Sequence, residues 1–230
     1  MLIPRPETEL LVETALEFLE PLSEQRVLEL GTGSGAIAIA LATELTQARI
    51  IATDVSSEAL AIARHNAGTI SSKVNRRLYI DFVLSDWFEF LEKRVEETFD
   101  STLQTKQKTN NSIPSEQTSV AATFDLIISN PPYLAVHDPH LEQSIRFEPL
   151  DALVSGDQGL DSLMRIASGA TSYLSNNGLL ALEHGFDQAD AVRGLLVDSG
   201  YTCINTHRDL AGLERVTTGS WAASSTIKST

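Results

Sequence analysis

The chain has 230 residues, and its 31 acidic and 17 basic side chains give a formal net charge of −14 at pH 7. This length suits one domain, and so acidic a surface disfavours nucleic acid because the phosphate backbone is itself anionic. No apolar run approaches the roughly 20 residues of a membrane span, and the first residues do not resemble a secretory signal, so we expect a cytoplasmic protein without membrane partners.

The first predicted element is an amphipathic helix from Glu7 to Leu19. Its inward-facing stripe has helical spacing and comprises Leu10, Leu11, Thr14, Ala15 and Phe18. We expect residues 1–20 to form a linker and helix that lead into the main domain, which we expect to span residues 21–230.

Strands and helices alternate along the rest of the chain. The predicted strands are 26–30, 49–53, 79–84, 124–129, 178–183, 201–207 and 214–219, and the predicted helices are 34–44, 56–69, 159–174 and 188–199. Such alternation builds a mostly parallel sheet with helices on both faces. A short turn at Ala211-Gly212 predicts that the last two strands form an antiparallel hairpin. The expected fold is α/β and Rossmann-like, with seven strands and an antiparallel last strand.

Residues 96–123 interrupt this pattern. They are polar, poor in aromatic side chains and without hydrophobic periodicity. Such a composition predicts a mobile surface insertion.

A glycine-rich segment, Gly31-Thr32-Gly33-Ser34-Gly35, follows the first predicted strand and opens the first helix of the alternating region. We call it the glycine loop. Glycine lets the backbone turn sharply and approach a ligand, and the helix start offers unpaired N–H groups. Asp54 ends the second strand, where an acid accepts hydrogen bonds from ribose hydroxyls. A nucleoside site is predicted, although Gly31, Gly33 and Ala36 also satisfy the dinucleotide form G-x-G-x-x-A.

Asp86 and Trp87 close the third predicted strand. The acid could receive the amino group of an adenine, and the indole could cover the ring. An equally weighted interpretation is a helix cap followed by a core tryptophan.

The segment Asn130-Pro131-Pro132-Tyr133, called the NPPY segment, follows a buried strand and should project from the carboxyl edge of the sheet. An amide or aryl amine is a weak nucleophile with two N–H groups. If the Asn130 side-chain oxygen and the Pro131 carbonyl each accept one hydrogen, the nitrogen lone pair is directed at a sulfonium methyl group. Tyr133 can pack on the substrate plane. The segment predicts S-adenosylmethionine-dependent methyl transfer, without separating an amide from an adenine.

Other candidates predict less chemistry. His137 and His140 are three residues apart in a loop without further ligands, so no metal site is expected. His184 at a strand end lies near the pocket or is structural. Cys203, the single cysteine, is expected to be a strand residue.

Several further segments complete a recognisable set of motifs. Together with the glycine loop and the NPPY segment, the set comprises 3–9, 28–35, Phe147-Glu148-Pro149, Ala152-Leu153, Gly156, Gly159-Leu160, Leu182-Glu183-His184-Gly185 and Arg208-Asp209-Leu210-Ala211-Gly212. This set resembles one family, the release factor glutamine methyltransferases of the HemK/PrmC type. The resemblance covers nearly the whole chain except the polar insertion, which is longer than the family usually shows.

The resemblance implies a class I S-adenosylmethionine-dependent fold and methylation of the glutamine in the Gly-Gly-Gln motif of peptide-chain release factors. It implies cofactor contacts from the glycine loop, Asp54, Trp87 and Asn130, and glutamine binding by the NPPY segment. It also predicts a catalytic domain without the family's amino-terminal helical domain. Alternatives are an adenine-specific nucleic acid methyltransferase, a cofactor-binding module with little activity and, from the loop alone, a nicotinamide dehydrogenase.

Overall fold

The computed structural model describes residues 6–19, 23–93, 123–137 and 153–222. Most of the predicted insertion, residues 96–122, lies outside these ranges. The sequence features at residues 3–5, His140, Phe147-Glu148-Pro149 and Ala152 also lie outside the described residues.

Seven strands form one sheet in the described part of the chain. They are β1 (Arg26–Leu30), β2 (Arg49–Asp54), β3 (Ile80–Leu84), β4 (Phe124–Ser129), β5 (Leu174–Glu183), β6 (Thr202–Arg208) and β7 (Glu214–Ser220). Their order is β3-β2-β1-β4-β5-β7-β6. Strands β1 to β5 pair in parallel, and β7 is antiparallel to both β5 and β6. The predicted fold class is confirmed.

Helices cover both faces of this sheet. They are α1 (Pro6–Phe18), α2 (Ala36–Glu44), α3 (Ser57–Lys73), α4 (Asp161–Ala170) and α5 (Ala189–Asp198), and residues 89–93 are also helical. Neighbouring strand residues point to opposite faces. Val27 therefore joins a core cluster with α1 and α2, whereas Leu28 joins a second cluster with α4 and α5. None of the helices in the described ranges is long and apolar enough to cross a membrane.

For one residue of the predicted inward-facing stripe of α1, the prediction was wrong. Phe18 is 39% exposed, whereas Leu11, Ala15 and Leu19 are buried in the first cluster. The helix ends at Phe18, and the Leu19 N–H still donates to the Ala15 carbonyl at 3.0 Å. This last hydrogen-bonded turn directs Leu19, rather than Phe18, into the core.

The boundary between α4 and β5 also differs from the sequence prediction. Helix α4 ends at Ala170, and β5 begins at Leu174 instead of residue 178. Leu174 pairs with Phe124 across a register shift in β4. The polar residues 175–177 separate Leu174 from the apolar part of β5, so the hydrophobic pattern did not predict that the strand begins at Leu174.

The carboxyl ends of the parallel strands lie at one edge of the sheet, where open α/β sheets bind ligands. The glycine loop follows β1, and Asp54 ends β2. Asp86 and Trp87 follow β3, and the NPPY segment follows β4. The topology thus brings all four sequence features to one edge.

Candidate functional site

The glycine loop has a backbone that favours glycine. Gly31, Gly33 and Gly35 have φ angles of 73°, 55° and 82°, in the left-handed region that side chains disfavour. At Gly35, a Cβ would lie 3.0 Å from the Ala63 Cβ of α3. Gly35 directly precedes α2, so the loop leads into the amino end of that helix, where N–H groups are available to a ligand.

Asp54 fixes this loop to the end of β2. Its Oδ2 accepts a hydrogen bond from the Gly33 N–H at 2.8 Å, and its Oδ1 accepts one from the Ser56 N–H at 2.9 Å. Each carboxylate oxygen retains a further lone pair. Asp54 can therefore hold the loop and still accept hydrogen bonds from a ligand hydroxyl.

A cavity of about 650 Å³ lies between these elements. Of the residues predicted from the sequence, those that line it are Gly31, Thr32, Gly33, Ser34, Asp54, Asp86, Trp87, Asn130 and Pro132. Three others lie beside it: Gly35 precedes α2, Pro131 is buried, and the half-buried Tyr133 packs against the second core cluster. The structure thus brings nearly all predicted cofactor residues to one cavity.

Trp87 serves both the cavity and the core. It lines the cavity beside Gly31, whose added Cβ would lie 3.8 Å from the indole Cζ3, and it packs against the second cluster. Asp86 accepts a hydrogen bond from Arg165 at 3.0 Å. One interpretation of Asp86 was a helix cap. The helical residues 89–93 are capped instead by Ser85, whose Oγ accepts a hydrogen bond from the Phe90 N–H at 3.1 Å.

The Asn130 side chain is oriented by a residue for which the sequence patterns predicted no role. Its Nδ2 donates to the Thr8 hydroxyl of α1 at 3.1 Å. Its Oδ1 is buried and has no hydrogen-bond partner within the described ranges. A buried polar atom left unsatisfied costs about 1–3 kcal/mol, so this carbonyl suits a ligand that brings a donor. The sequence signal for Thr8 was its place in the segment 3–9, but nothing local linked it to Asn130.

Glu29 is a second cavity residue that the sequence patterns did not predict as part of the site. It is 1% exposed and accepts hydrogen bonds from the Thr32 hydroxyl at 2.7 Å and the Ala38 N–H at 3.1 Å. Burial raises its pKa to about 7, against the lowering effect of those hydrogen bonds, and nearby Asp54 raises it further. The signal in the sequence was an acid between the apolar residues Leu28 and Leu30 of β1.

We predict that Glu29→Gln makes stability less dependent on pH. Folded Glu29 keeps its proton up to about pH 7, whereas its ordinary pKa of 4.5 applies when the chain is unfolded. The folded state therefore binds more protons between these values, and its unfolding free energy falls as pH rises through this window, by about 3 kcal/mol from this residue. Denaturant unfolding of both proteins at pH 5 and pH 8 measures the change. If the unfolding free energies of the wild type and the variant differed by the same amount at both pH values, the raised pKa of Glu29 would be contradicted.

His184 does not line the cavity, and both of its ring nitrogens have hydrogen-bonding partners within the fold. It is buried, with Nδ1 2.8 Å from the Gly185 carbonyl and Nε2 2.8 Å from the Thr217 hydroxyl, and burial lowers its pKa. His137 and Cys203 are exposed, and Cys203 lies in β6 as predicted. Over the ranges that the structure describes, no group of three or more potential ligands could hold a metal ion.

The fold and the cavity define an S-adenosylmethionine-dependent methyltransferase, and a family model described as a methyltransferase domain matches residues 22–185. Release factor glutamine methyltransferase of Xylella fastidiosa strain Temecula1 is 45% identical over 219 residues, which are 95% of this chain and 68% of that protein. The enzyme of that name from Bordetella pertussis is 43% identical over 95% of this chain and 69% of its own length. The chain belongs to the release factor glutamine methyltransferase family.

A solved structure agrees with this assignment. The protein-(glutamine-N5) methyltransferase (release factor-specific) from Alicyclobacillus acidocaldarius superposes with a TM-score of 0.55 and 25% identity, covering 96% of this chain and 95% of that one. The methyltransferase from Pyrococcus furiosus, at 16% identity and a TM-score of 0.57, supports the fold alone.

Proposed function

We propose that this chain transfers a methyl group from S-adenosylmethionine to the side-chain amide nitrogen of the glutamine in the Gly-Gly-Gln motif of release factors. The observation that carries the proposal is Asn130, which lines the cavity and whose side-chain Oδ1 is buried without a hydrogen-bond partner in the described structure. Two curated relatives that are more than 40% identical to this chain over the aligned residues are named for methylation of a release factor glutamine.

The residues around the cavity fit the proposed cofactor. The glycine loop would hold the amino-acid part of the molecule at the start of α2, and Asp54 would accept hydrogen bonds from the ribose. Trp87 would cover the adenine, and Asp86 lies beside it. When bound, S-adenosylmethionine supplies an electrophilic methyl group on a cationic sulfonium.

The NPPY segment would prepare the substrate nitrogen. An amide lone pair is delocalised, so the nitrogen reacts only when its position and orientation are controlled. Asn130 Oδ1 and the Pro131 carbonyl would each accept one amide hydrogen and hold the nitrogen in line with the methyl group. The Thr8 hydroxyl accepts from Asn130 Nδ2 and so fixes the rotation of the side-chain amide that carries Oδ1. After transfer, one amide proton passes to solvent, which leaves the neutral N-methyl amide.

Release factor labelling tests the proposed function. Purified protein is incubated with cofactor that carries a labelled methyl group and with a release factor, its Gln-to-Ala variant in Gly-Gly-Gln, or nucleic acid. We expect label only on the unaltered release factor. Equal labelling of the Ala variant would reject the target glutamine, and label on DNA or RNA would favour an adenine methyltransferase. Cofactor binding without turnover at high protein concentration would favour a binding module.

We predict that Thr8→Val lowers the methylation turnover number by about 10-fold, because the isosteric change removes the acceptor that orients Asn130. Steady-state labelling measures turnover, and calorimetry measures cofactor affinity, which should change by only about 2-fold. Thr14→Val is the matched control, since the buried Thr14 on the same helix donates to the Leu10 carbonyl of its own helix. Equal loss of turnover in both variants would remove the role assigned to Thr8.

Three finer statements belong to the same proposal. We propose residues 1–20 as a linker and helix that lead into a methyltransferase domain of residues 21–230, with residues 96–123 as its insertion. We also propose a cytoplasmic location and no direct binding to nucleic acid. The net charge of −14 supports the last of these.

A further inference from the structure

Gln188 joins three loops at the carboxyl edge of the sheet. Its Nε2 donates to the Tyr133 carbonyl at 2.9 Å, and the Gln158 and Gly159 carbonyls lie at 3.3 and 3.4 Å from the same nitrogen. Its Oε1 accepts from the Gly185 N–H at 2.9 Å. The side chain therefore ties the end of the NPPY segment to the loop after β5 and to the turn before α4.

Gly159 contacts the same carbonyl from another side. Its φ angle is 72°, and a Cβ placed on it would lie only 2.1 Å from the Tyr133 oxygen and 2.8 Å from the Gln188 Nε2. No side chain fits there unless the Tyr133 backbone moves. Gly159 and Gln188 thus enclose the Tyr133 carbonyl, and we call this contact the Tyr133 clamp.

The position of the clamp along the NPPY segment has a mechanical consequence. Pro131 and Pro132 have φ locked by their rings, so few soft dihedral angles remain between Asn130 and Tyr133. At one end of the segment, the Asn130 side chain donates a hydrogen bond to Thr8. At the other end, the clamp holds the Tyr133 carbonyl. Fixing both ends fixes the directions of the intervening carbonyls.

We propose that Gln188 and Gly159 are positioning residues for methyl transfer: through the Tyr133 carbonyl they set the orientation of the NPPY segment. This inference rests on the proposed function of that segment. Neither residue lines the cofactor cavity. The clamp therefore acts on the reacting geometry of the substrate nitrogen and leaves cofactor affinity unchanged.

The first test is the variant Gln188→Glu. This change keeps an oxygen to accept from the Gly185 N–H but places a carboxylate oxygen against carbonyl oxygens, including that of Tyr133. We expect turnover on the release factor to fall by about 10- to 100-fold, with the dissociation constant of S-adenosylmethionine within about 2-fold of the wild-type value. Asn205→Asp is the matched control, because it makes the same amide-to-acid change where Asn205 donates to the Cys203 carbonyl on the exposed edge strand.

The pH profile separates positioning from a general structural defect. Once protonated, the carboxyl group introduced by Gln188→Glu can again donate to the Tyr133 carbonyl, so the activity of this variant relative to wild type should rise as pH falls. Surrounding carbonyl oxygens raise the pKa expected for the introduced acid and bring this recovery towards measurable pH. A flat activity ratio, or a loss of turnover that matches the loss of cofactor binding, would overturn the proposal.

Hydrogen exchange tests the clamp without methylation. The Leu134 N–H donates to the Leu153 carbonyl at 2.9 Å, directly after the clamped residue. We expect faster exchange of residues 130–136 in Gln188→Glu and in Gly159→Ala, but not in Asn205→Asp. Gly212→Ala is the matched control for Gly159→Ala, because Gly212 also has a positive φ, of 80°, but has open space around it. Unchanged exchange would reject the clamp even if release factor is methylated, whereas absent wild-type methylation would reject only the proposed function.

Discussion

Asn130→Ala is expected to lower the methylation turnover number by about 100-fold or more while the dissociation constant of S-adenosylmethionine rises by less than about 10-fold. The variant removes the acceptor whose Oδ1 is buried at the cavity and unpaired among the described residues. An orienting group acts mainly on the transition state, where removal of one preorganised hydrogen-bonding group typically costs 10²–10³ in turnover. In the proposed site, cofactor affinity depends more on the glycine loop and Asp54.

Single-turnover labelling of a release factor, together with calorimetry of cofactor binding, measures this difference. Asn205→Ala is a suitable control because it removes an exposed side-chain amide on β6, away from the cavity. Equal losses of turnover and cofactor affinity in Asn130→Ala would mean that Asn130 contributes only to binding. Unchanged turnover would remove Asn130 from the mechanism.

Asp54→Ala is expected to weaken cofactor binding by about 100-fold or more. The change removes the acceptor for the Gly33 and Ser56 N–H groups, which lie 2.8 and 2.9 Å from the carboxylate. Hydrogen bonds to a charged group each contribute about 1.5–3 kcal/mol, and part of this energy organises the glycine loop for its ligand. In the proposed site, the loss of an acceptor for the ribose hydroxyls adds to the effect.

Calorimetric titration with S-adenosylmethionine measures the affinity, and thermal unfolding verifies that the variant is folded at the temperature used. Asp81→Ala is the matched control, since Asp81 is an exposed acid on the neighbouring strand β3. If both variants bound the cofactor with the wild-type affinity, Asp54 would have no part in the site. A loss shared by both would point to net charge rather than to the contacts of Asp54.

Local sequence patterns predicted residues of the cavity lining wherever one short segment contains the relevant information. The glycine loop was recognisable because its backbone needs positive φ angles, which glycine adopts without strain. The NPPY segment follows β4 directly, so its place at the sheet edge followed from the strand prediction. The alternation of strands and helices likewise predicted a parallel sheet, because each apolar strand needs helical cover on both faces.

The orientation of the groups proposed to act in methyl transfer depends on contacts between distant segments. Thr8 and Asn130 are 122 residues apart, and Tyr133 and Gln188 are 55 apart, so no local periodicity relates them. The raised pKa of Glu29 results from complete burial, which its charged character alone does not suggest. The sequence predicted the hairpin of β6 and β7. That β7 lies between β5 and β6 in the sheet is a property of the assembled fold.

The sequence by itself therefore determined the class of fold, the glycine loop and the NPPY segment, because steric preferences and hydrophobic periodicity act over a few neighbouring residues. Only the tertiary structure decided that Phe18 is exposed, that Thr8 orients Asn130 and that Gln188 encloses the Tyr133 carbonyl. These are consequences of packing, in which a hydrogen bond forms between whichever groups the folded chain brings within about 3 Å.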